Sequence, residues 1–438
     1  MAWPEALLFL VGSVVLLIMI GFPVAFAFLI ANIAGVAVFM GSVGGLLQLL
    51  DNTTDTLSRF TLVPVPLFIL MGGIFFNAGL ADRTFKGIDI VLGRLPGRLC
   101  YLTVAGGTAF SALTGASMAN TAMLGTLMVP EMARRGYHPR LAMGPILATG
   151  GLAIIIPPSA PAVILGSLAN IDVGALLIAG IGPGLVLALM FAAVIFMQVR
   201  LDPSLAPAYD VPKVPLATKL WVFVTSVLPM TLVILLVVGC ILFGIATPTE
   251  SAAFGVLGVL VLALAFRSLT VEGFKKSVHS AVVVTGMMLF IIVGSVGFSQ
   301  LVAYSGANAG LLRWALSFDI PSWGILAVML GLLMLLGMFM DLLSMMMLTV
   351  PVFFPLAAQL GIDPILFGIL VLITLEMGLI TPPFGLSLFI MRGIAPEGTT
   401  MAQVFRAAVP YLFCDVLILV LLVLMPAVAL YLPSLMQR

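Results

Sequence analysis

Charge is what this chain has least of. Of 438 residues, 8% are Asp, Glu, Lys or Arg while 62% are hydrophobic, and the mean hydropathy is +1.30. A water-soluble domain carries roughly 25% charged residues, so that class is excluded. The net charge of +1 leaves no basic footprint for nucleic acid. Histidine occurs twice and cysteine three times. Cys100, Cys240 and Cys414 lie far apart in apolar context without metal-ligand spacing, and read as buried packing thiols. His138 and His279 fall in or beside basic loops, with no Ser, Cys or carboxylate constellation around them. HExxH, Walker and CxxCH patterns are missing, which removes the intramembrane protease, ATPase and c-type haem readings. The chain is therefore expected to be no enzyme and to need no cofactor. The run 6–20 lacks a basic leader and an A-x-A site, so it is expected to be a membrane helix and not a cleaved signal.

What is there is apolar length. Hydrophobic runs cover roughly 5–20, 22–40, 61–80, 102–130, 140–169, 173–199, 221–243, 250–266, 278–303, 323–355, 363–391 and 407–433. Runs of about 18 apolar residues make this an all-α polytopic membrane protein. Two Pro-rich breaks interrupt them, Ile156-Pro157-Pro158-Ser159 and Ile380-Thr381-Pro382-Pro383. A constant shift of 225 residues carries the first onto the second. The same shift takes Pro23 to Pro248, Pro130 to Pro355, Gly136 to Gly361, Pro139 to Pro364 and Thr149 to Thr374. Two halves with a broken segment in the same place point to a duplicated transporter, its binding site at the breaks.

Basic residues select an orientation. Arg83, Lys86, Arg94 and Arg98; Arg134, Arg135 and Arg140; Arg200, Lys213 and Lys219; Arg267, Lys275 and Lys276; and Arg392 and Arg406 mark five loops, which the positive-inside rule puts in the cytoplasm. Both flanks of 102–130 are then cytoplasmic, so that segment must turn back inside the membrane. Its centre is small and hydroxyl-rich, Ser111-Ala112-Leu113-Thr114-Gly115-Ala116-Ser117-Met118-Ala119-Asn120. It is expected to be a re-entrant hairpin, tolerated where the turn is buried in protein or lines a cavity. Residues 323–355, centred on Gly337-Met338-Phe339-Met340-Asp341-Leu342-Leu343-Ser344, are its counterpart from the other side. Removing both hairpins leaves about ten spans, five per half. An odd number inverts the second half, giving two inverted-topology repeats with both termini outside. The expected division is 1–200 as first repeat, 201–220 as a cytoplasmic connection and 221–438 as second repeat. Segments 41–60 and 305–320 are amphipathic enough to lie along the interface.

Each broken helix frees carbonyls at one stub and N–H groups at the other. Carbonyl ends suit Na⁺ and N-terminal ends suit carboxylates. Prolines 157, 158, 382 and 383 make these breaks. The hairpin turns add side-chain oxygens from Ser111, Thr114, Ser117, Asn120, Asp341 and Ser344, a donor set for a hard cation. Asp341 is an ionisable group at membrane depth and so a functional candidate by default. Glu376, six residues before Pro382 on the same helix, is either a site residue or a buried hydrogen-bonded acid. Met345-Met346-Met347 reads as adaptable packing. With no ATPase motif, the energy must come from an ion gradient or another chain.

The stretch 106–136 with its Ser111–Asn120 core, Pro130-Glu131-Met132-Ala133-Arg134-Arg135-Gly136-Tyr137, Gly337-Met338-Phe339-Met340-Asp341, Gly361-Ile362-Asp363-Pro364 and Gly378-Leu379-Ile380-Thr381-Pro382-Pro383-Phe384-Gly385-Leu386 resembles the large membrane subunit of tripartite ATP-independent periplasmic (TRAP) transporters. The resemblance runs over essentially the whole chain. It implies an elevator-type secondary transporter of a bacterial inner membrane, driven by a Na⁺ gradient, importing organic acids such as sialic acid or C4-dicarboxylates. A periplasmic solute-binding protein would deliver the solute, and a small four-helix membrane subunit on a separate chain would support the scaffold. Spans 5–40 and 221–266 are the scaffold candidates. Sodium and substrate ligands are expected among Ser111, Gly115, Ser117, Asn120, Thr149, Gly150, Pro157 and Pro158 in the first half. In the second half they are expected among Gly337, Met340, Asp341, Ser344, Glu376, Gly378, Thr381 and Pro382, with Na⁺ near Ser117, Asn120, Asp341 and Thr381. Thr114 and Ala116 flank Gly115 where serine is frequent in the family. Two rivals remain: a stand-alone dicarboxylate transporter or antiporter of the same architecture, and a channel.

Overall fold

A computed structural model describes the chain apart from residues 42, 94, 115–116, 208–213, 318–319 and 437–438, and leaves the side chains of 112–114 and 316 aside. It is all helical over the described residues. Seven of these helices are long and apolar enough to cross a membrane, or eight if the bent pair Pro139–Ile155 and Ala160–Ala169 is one span. Shorter apolar helices, among them Trp3–Met19, Val24–Met40 and Ser322–Gly337, make up the rest. In hydrocarbon every backbone N–H and C=O must be satisfied within the protein, and helices do this locally.

Helix boundaries follow the 225-residue shift. Ser117–Arg134 maps onto Leu342–Gln359 residue for residue. Pro139–Ile155 maps onto Pro364–Leu379, Ala160–Ala169 onto Leu386–Ile394, and Arg98–Thr114 onto Ser322–Gly337, each boundary within two residues. Both Pro-Pro peptides, Pro157-Pro158 and Pro382-Pro383, are cis. Arg98–Thr114 with Ser117–Arg134 forms hairpin one, and Ser322–Gly337 with Leu342–Gln359 forms hairpin two. The first broken helix bends by 44°. The second is interrupted for longer, between Leu379 and Leu386. Two boundaries differ from the hydrophobic runs. The expected last span 407–433 is two helices, Met401–Leu424 and Ala427–Met436, because Pro426 cannot donate to the ladder. The shift also pairs the helix Ala307–Leu316 with Leu80–Leu92, an amphipathic helix that hydropathy alone passes over.

The caps that start these helices are local. Asp363 accepts from Ile365 N and Leu366 N at the head of the second broken helix. Thr270 accepts from Gly273 N before Val271–Tyr304. Each satisfies otherwise orphaned amides, an effect of about 1 kcal/mol.

The basic loops come together at one end. The Arg83 guanidinium lies 3.7 Å from the Phe266 ring centroid and donates to Thr225 O. Lys219 Nζ donates to Val91 O and His138 N to Leu205 O. Here Glu131 is clasped by Arg134 and Arg135; its partial burial raises its pKa, but the arginine hydrogen bonds outweigh that and hold the carboxyl below its usual range. At the opposite end Arg59 meets Asn170, Thr61 meets Ser167, and Trp3 packs on Trp314.

Candidate functional site

Four elements converge: the ends of the hairpin helices at Ser117 and Asp341, and the break ends of both broken helices. Helices Ser322–Gly337 and Pro364–Leu379 cross at a glycine pair. A Cβ on Gly337 would sit 2.6 Å from Gly378 Cα, and one on Gly378 would sit 2.6 Å from Gly337 Cα. The close approach of these two expected ligands brings hairpin two onto the second broken helix. Met340 is buried beside them.

On the other side the two broken helices cross at Gly150 and Gly151. A Cβ on Gly150 would lie 2.6 Å from Thr121 Oγ1, 3.1 Å from Ser117 Oγ and 3.4 Å from Glu376 Oε1. A Cβ on Gly151 would lie 2.7 Å from Glu376 Cγ. The missing side chains let Glu376 reach hairpin one, where Ser117 Oγ donates to Glu376 Oε1 at 3.0 Å. Glu376 Oε2 and Thr121 Oγ1 are buried and have no partner among the described residues.

Next to this lies a polar knot inside the first half. Asn120 Nδ2 donates to Ser111 Oγ and to Thr149 O, both at 3.1 Å, and Ser111 Oγ donates to Thr149 O at 3.1 Å. The Thr149 hydroxyl turns back to Pro145 O and Ile146 O, so its carbonyl and not its side chain enters the knot. Asn120 Oδ1 is left buried, with no partner among the described residues. A buried acceptor without a donor is costly, and it suits a dehydrated hard cation.

The second half is built differently. Asp341 is the N-cap of Leu342–Gln359: its Oδ2 accepts from Leu343 N at 3.0 Å and Ser344 N at 3.2 Å, and its Oδ1 accepts from Ser344 Oγ. Thr381, just past the end of Pro364–Leu379, spends its hydroxyl on Met377 O at 2.6 Å, an i−4 back-bond onto the last turn. The two breaks also differ in access. Pro157, Pro158 and Ser159 are buried, whereas Pro383 and Phe384 are exposed and Pro382 is intermediate. Gly115 lies outside the described residues, as does the Thr114 side chain.

A cavity of about 610 Å³ ties these pieces together. One wall carries Ser117, Met118 and Ala119 of hairpin one, Asp341, Leu342 and Leu343 of hairpin two, and Ile154, Ala160, Pro161 and Leu379 from the break ends. The facing wall is Ile69, Gly72, Gly73, Phe76 and Asn77 on Pro64–Asn77, with Ser280, Val284, Met287 and Met288 on Val271–Tyr304. The volume falls in the range that holds a small organic solute, and the lining is apolar with a few convergent polar groups. Asn77 is fixed by donating to Gly73 O and Ser277 Oγ, both at 2.9 Å. Sequence reasoning missed this second wall. The expected scaffold spans 5–40 and 221–266 stand behind it, Val24–Gly35 against Val271–Tyr304 and Pro248–Ala265 against Pro64–Asn77. The signal that could have found it is Asn77, a lone amide ending an apolar run. Among the described residues no three His, Cys, Asp or Glu gather as a metal cluster.

Over residues 11–428 the chain matches the family described as tripartite ATP-independent periplasmic transporter, DctM component. It is 32% identical over 381 residues to the C4-dicarboxylate TRAP transporter large permease protein DctM of Pseudomonas aeruginosa, covering 87% of this chain and 88% of that one. It is 29% identical over 432 residues to the ectoine TRAP transporter large permease protein TeaC of Halomonas elongata, covering 98% and 99%. It is also 29% identical over 382 residues to the sialic acid TRAP transporter large permease protein SiaM of Vibrio cholerae, covering 86% and 87%. Among solved structures, the YdaH transporter of Alcanivorax borkumensis shares the fold at a TM-score of 0.65 and 14% identity, over 88% of this chain and 90% of that one.

Proposed function

This chain belongs to the DctM component family of the tripartite ATP-independent periplasmic transporters, and on that premise we propose that it is the sodium-gradient-driven importing subunit for a small organic acid. It is a multi-pass membrane permease of a tripartite system for organic-acid uptake. The observation that carries the finer reading is the 610 Å³ cavity between the hairpin tips and a separate helical wall. A solute held there touches both bodies, so sliding one past the other exposes it to either side without opening a continuous pore.

In this reading the two hairpins and two broken helices move as one elevator body against Pro64–Asn77 and Val271–Tyr304. The halves are inverted repeats, the basic end faces the cytoplasm, and both termini are periplasmic in the bacterial inner membrane. Na⁺ binds as co-substrate. The knot of Ser111, Asn120 and Thr149 O offers neutral oxygens, including the orphaned Asn120 Oδ1, and the Asp341 tip offers a carboxylate. A periplasmic solute-binding protein delivers the solute and a separate small membrane subunit braces the scaffold. Relatives of nearly equal identity are named for C4-dicarboxylates, ectoine and sialic acid, so identity alone does not choose among carboxylate-bearing solutes.

The test is reconstitution of this chain with its small subunit in liposomes, with and without the binding protein and an inward Na⁺ gradient. Uptake is expected to need both and to saturate with solute. Uptake without the binding protein would instead establish a stand-alone carrier, and non-saturating flux a channel.

A further inference from the structure

At the end away from the basic loops, two cavities share Arg59 and Asn170 as walls. One, about 410 Å³, is lined also by Thr61 and Ser167. The other, about 210 Å³, reaches between Ser295, Ser299 and Gln300 of Val271–Tyr304 and Val350 and Pro351 of hairpin two. Arg59 and Arg313 are the two described Lys or Arg residues in the segments of this end. Among the described residues the guanidinium of Arg59 makes one hydrogen bond, Nη1 to Asn170 Oδ1 at 3.0 Å, and no ion pair. It has five N–H donors in a planar fork, so most of them face the cavities or water. Asp172, two residues beyond Asn170, is turned away to cap its own helix through Ala175 N. The Ser295 hydroxyl bonds Met347 O and that of Ser299 bonds Ser295 O, which leaves both oxygens free to accept but not to donate. The amides of Gln300 and Asn170 can donate there too, but the guanidinium is the charged donor that an anion would find.

The position matters as much as the charge. Arg59 and Thr61 precede the cavity-wall helix Pro64–Asn77, and Asn170 and Ser167 end the first broken helix. The bonds Arg59–Asn170 and Thr61–Ser167, the latter at 3.1 Å, are cross-ties between the two bodies at this end. A carboxylate offers a charged, bidentate partner that a guanidinium prefers over a neutral amide oxygen.

We propose that Arg59 is the core of an access site for organic carboxylates, distinct from the central cavity, and that carboxylate binding there displaces Asn170 and releases one of the two ties. The inference rests on the importer reading for its direction, but the binding step is measurable without transport. Cys100, Cys240 and Cys414 are buried, so a cysteine placed at Ser299 is the reporter of choice for a membrane-impermeant maleimide. In the purified complex of this chain and its small subunit, succinate is expected to slow labelling of Ser299→Cys several-fold, and uncharged succinamide to leave it unchanged. Arg59→Gln should abolish the protection and Arg59→Lys should restore part of it. Asp341→Asn, at the central cavity, should leave the protection in place, which separates failure of this site from failure of the sodium reading. In reconstituted uptake, Arg59→Gln should raise the solute concentration for half-maximal rate about tenfold with little change in the maximal rate. An unreactive Ser299→Cys, equal protection by succinamide, or protection that persists in Arg59→Gln overturns the proposal. So does weaker docking of solute-free binding protein to Arg59→Gln with succinate protection unchanged, which would make Arg59 a protein contact instead.

Discussion

Ser117 at the tip of hairpin one donates a 3.0 Å hydrogen bond to Glu376 on the second broken helix, 259 residues away. It is a side-chain bond between the two halves, and it exists because Gly150 and Gly151 lack side chains at the crossing. Ser117 also lines the central cavity, so the same hydroxyl touches the solute space and the buried acid.

Removing one partner of that bond should cost more than removing both. In Ser117→Ala the acid keeps its burial but loses its donor, leaving both carboxyl oxygens without partners among the described residues, an effect of about 1–3 kcal/mol. Glu376→Met with Ser117→Ala replaces both polar groups by apolar ones of similar shape, which can be nearly neutral. Thermal unfolding in detergent should therefore rank wild type above the double variant and the double variant above Ser117→Ala. A double variant less stable than Ser117→Ala would show that Glu376 is held by something other than this bond.

The glycine crossing gives a second expectation. Gly337→Ala and Gly378→Ala each place a methyl 2.6 Å from backbone, with no flexible side chain to yield. Overpacking of this kind costs about 1–3 kcal/mol and shifts the helices apart. Each variant should lower the unfolding temperature and the uptake rate together. Gly286→Ala, where a Cβ meets nothing within 4 Å, is the matched control and should do neither.

Much of this architecture is legible in the chain because proline and glycine write it locally. The breaks at Pro157 and Pro382 and the hairpins between basic and non-basic flanks follow from backbone and charge chemistry within a turn or two. The site's asymmetry is legible too: the 225-residue shift sets Ser111, Ser117, Asn120 and Thr121 against Leu336, Leu342, Met345 and Met346. What is not legible is rotation. Hydropathy says that Pro64–Asn77 is in the membrane but not which face it turns to the hairpins, because a helix apolar all round has no preferred side until its neighbours are in place. The Ser117–Glu376 pairing is hidden for the same reason. Glu376 alone reads equally as site residue or buried acid, and only the crossing at Gly150 decides what it meets.

If the hairpins and broken helices travel past the other wall, tethering the walls must stop transport. Cysteines at Phe76 and at Ala119 face one cavity from opposite bodies. The native cysteines are buried and need not be removed. A short bifunctional thiol linker is expected to abolish uptake in the double-cysteine protein, to spare each single-cysteine protein, and to be reversed when a cleavable linker is reduced. Full uptake by a cross-linked protein would rule out relative movement of these walls.

Asp341 allows charge and fold to be separated. As N-cap it holds Leu343 N and Ser344 N through one oxygen, and asparagine caps helices about as well as aspartate. Asp341→Asn should therefore keep the hairpin tip, with stability within about 0.5 kcal/mol of wild type, while removing the one ionisable group that hairpin two presents to the cavity. Asp341→Ala loses the cap as well and should be less stable by about 1 kcal/mol. If the carboxylate helps to bind Na⁺, Asp341→Asn raises the sodium concentration for half-maximal uptake by tenfold or more at unchanged stability. Asp341→Ala then does the same from a less stable protein. Normal sodium dependence in a stable Asp341→Asn would leave Asp341 as a helix cap alone, and would put the coupling ion in the Ser111, Asn120 and Thr149 knot of the first half.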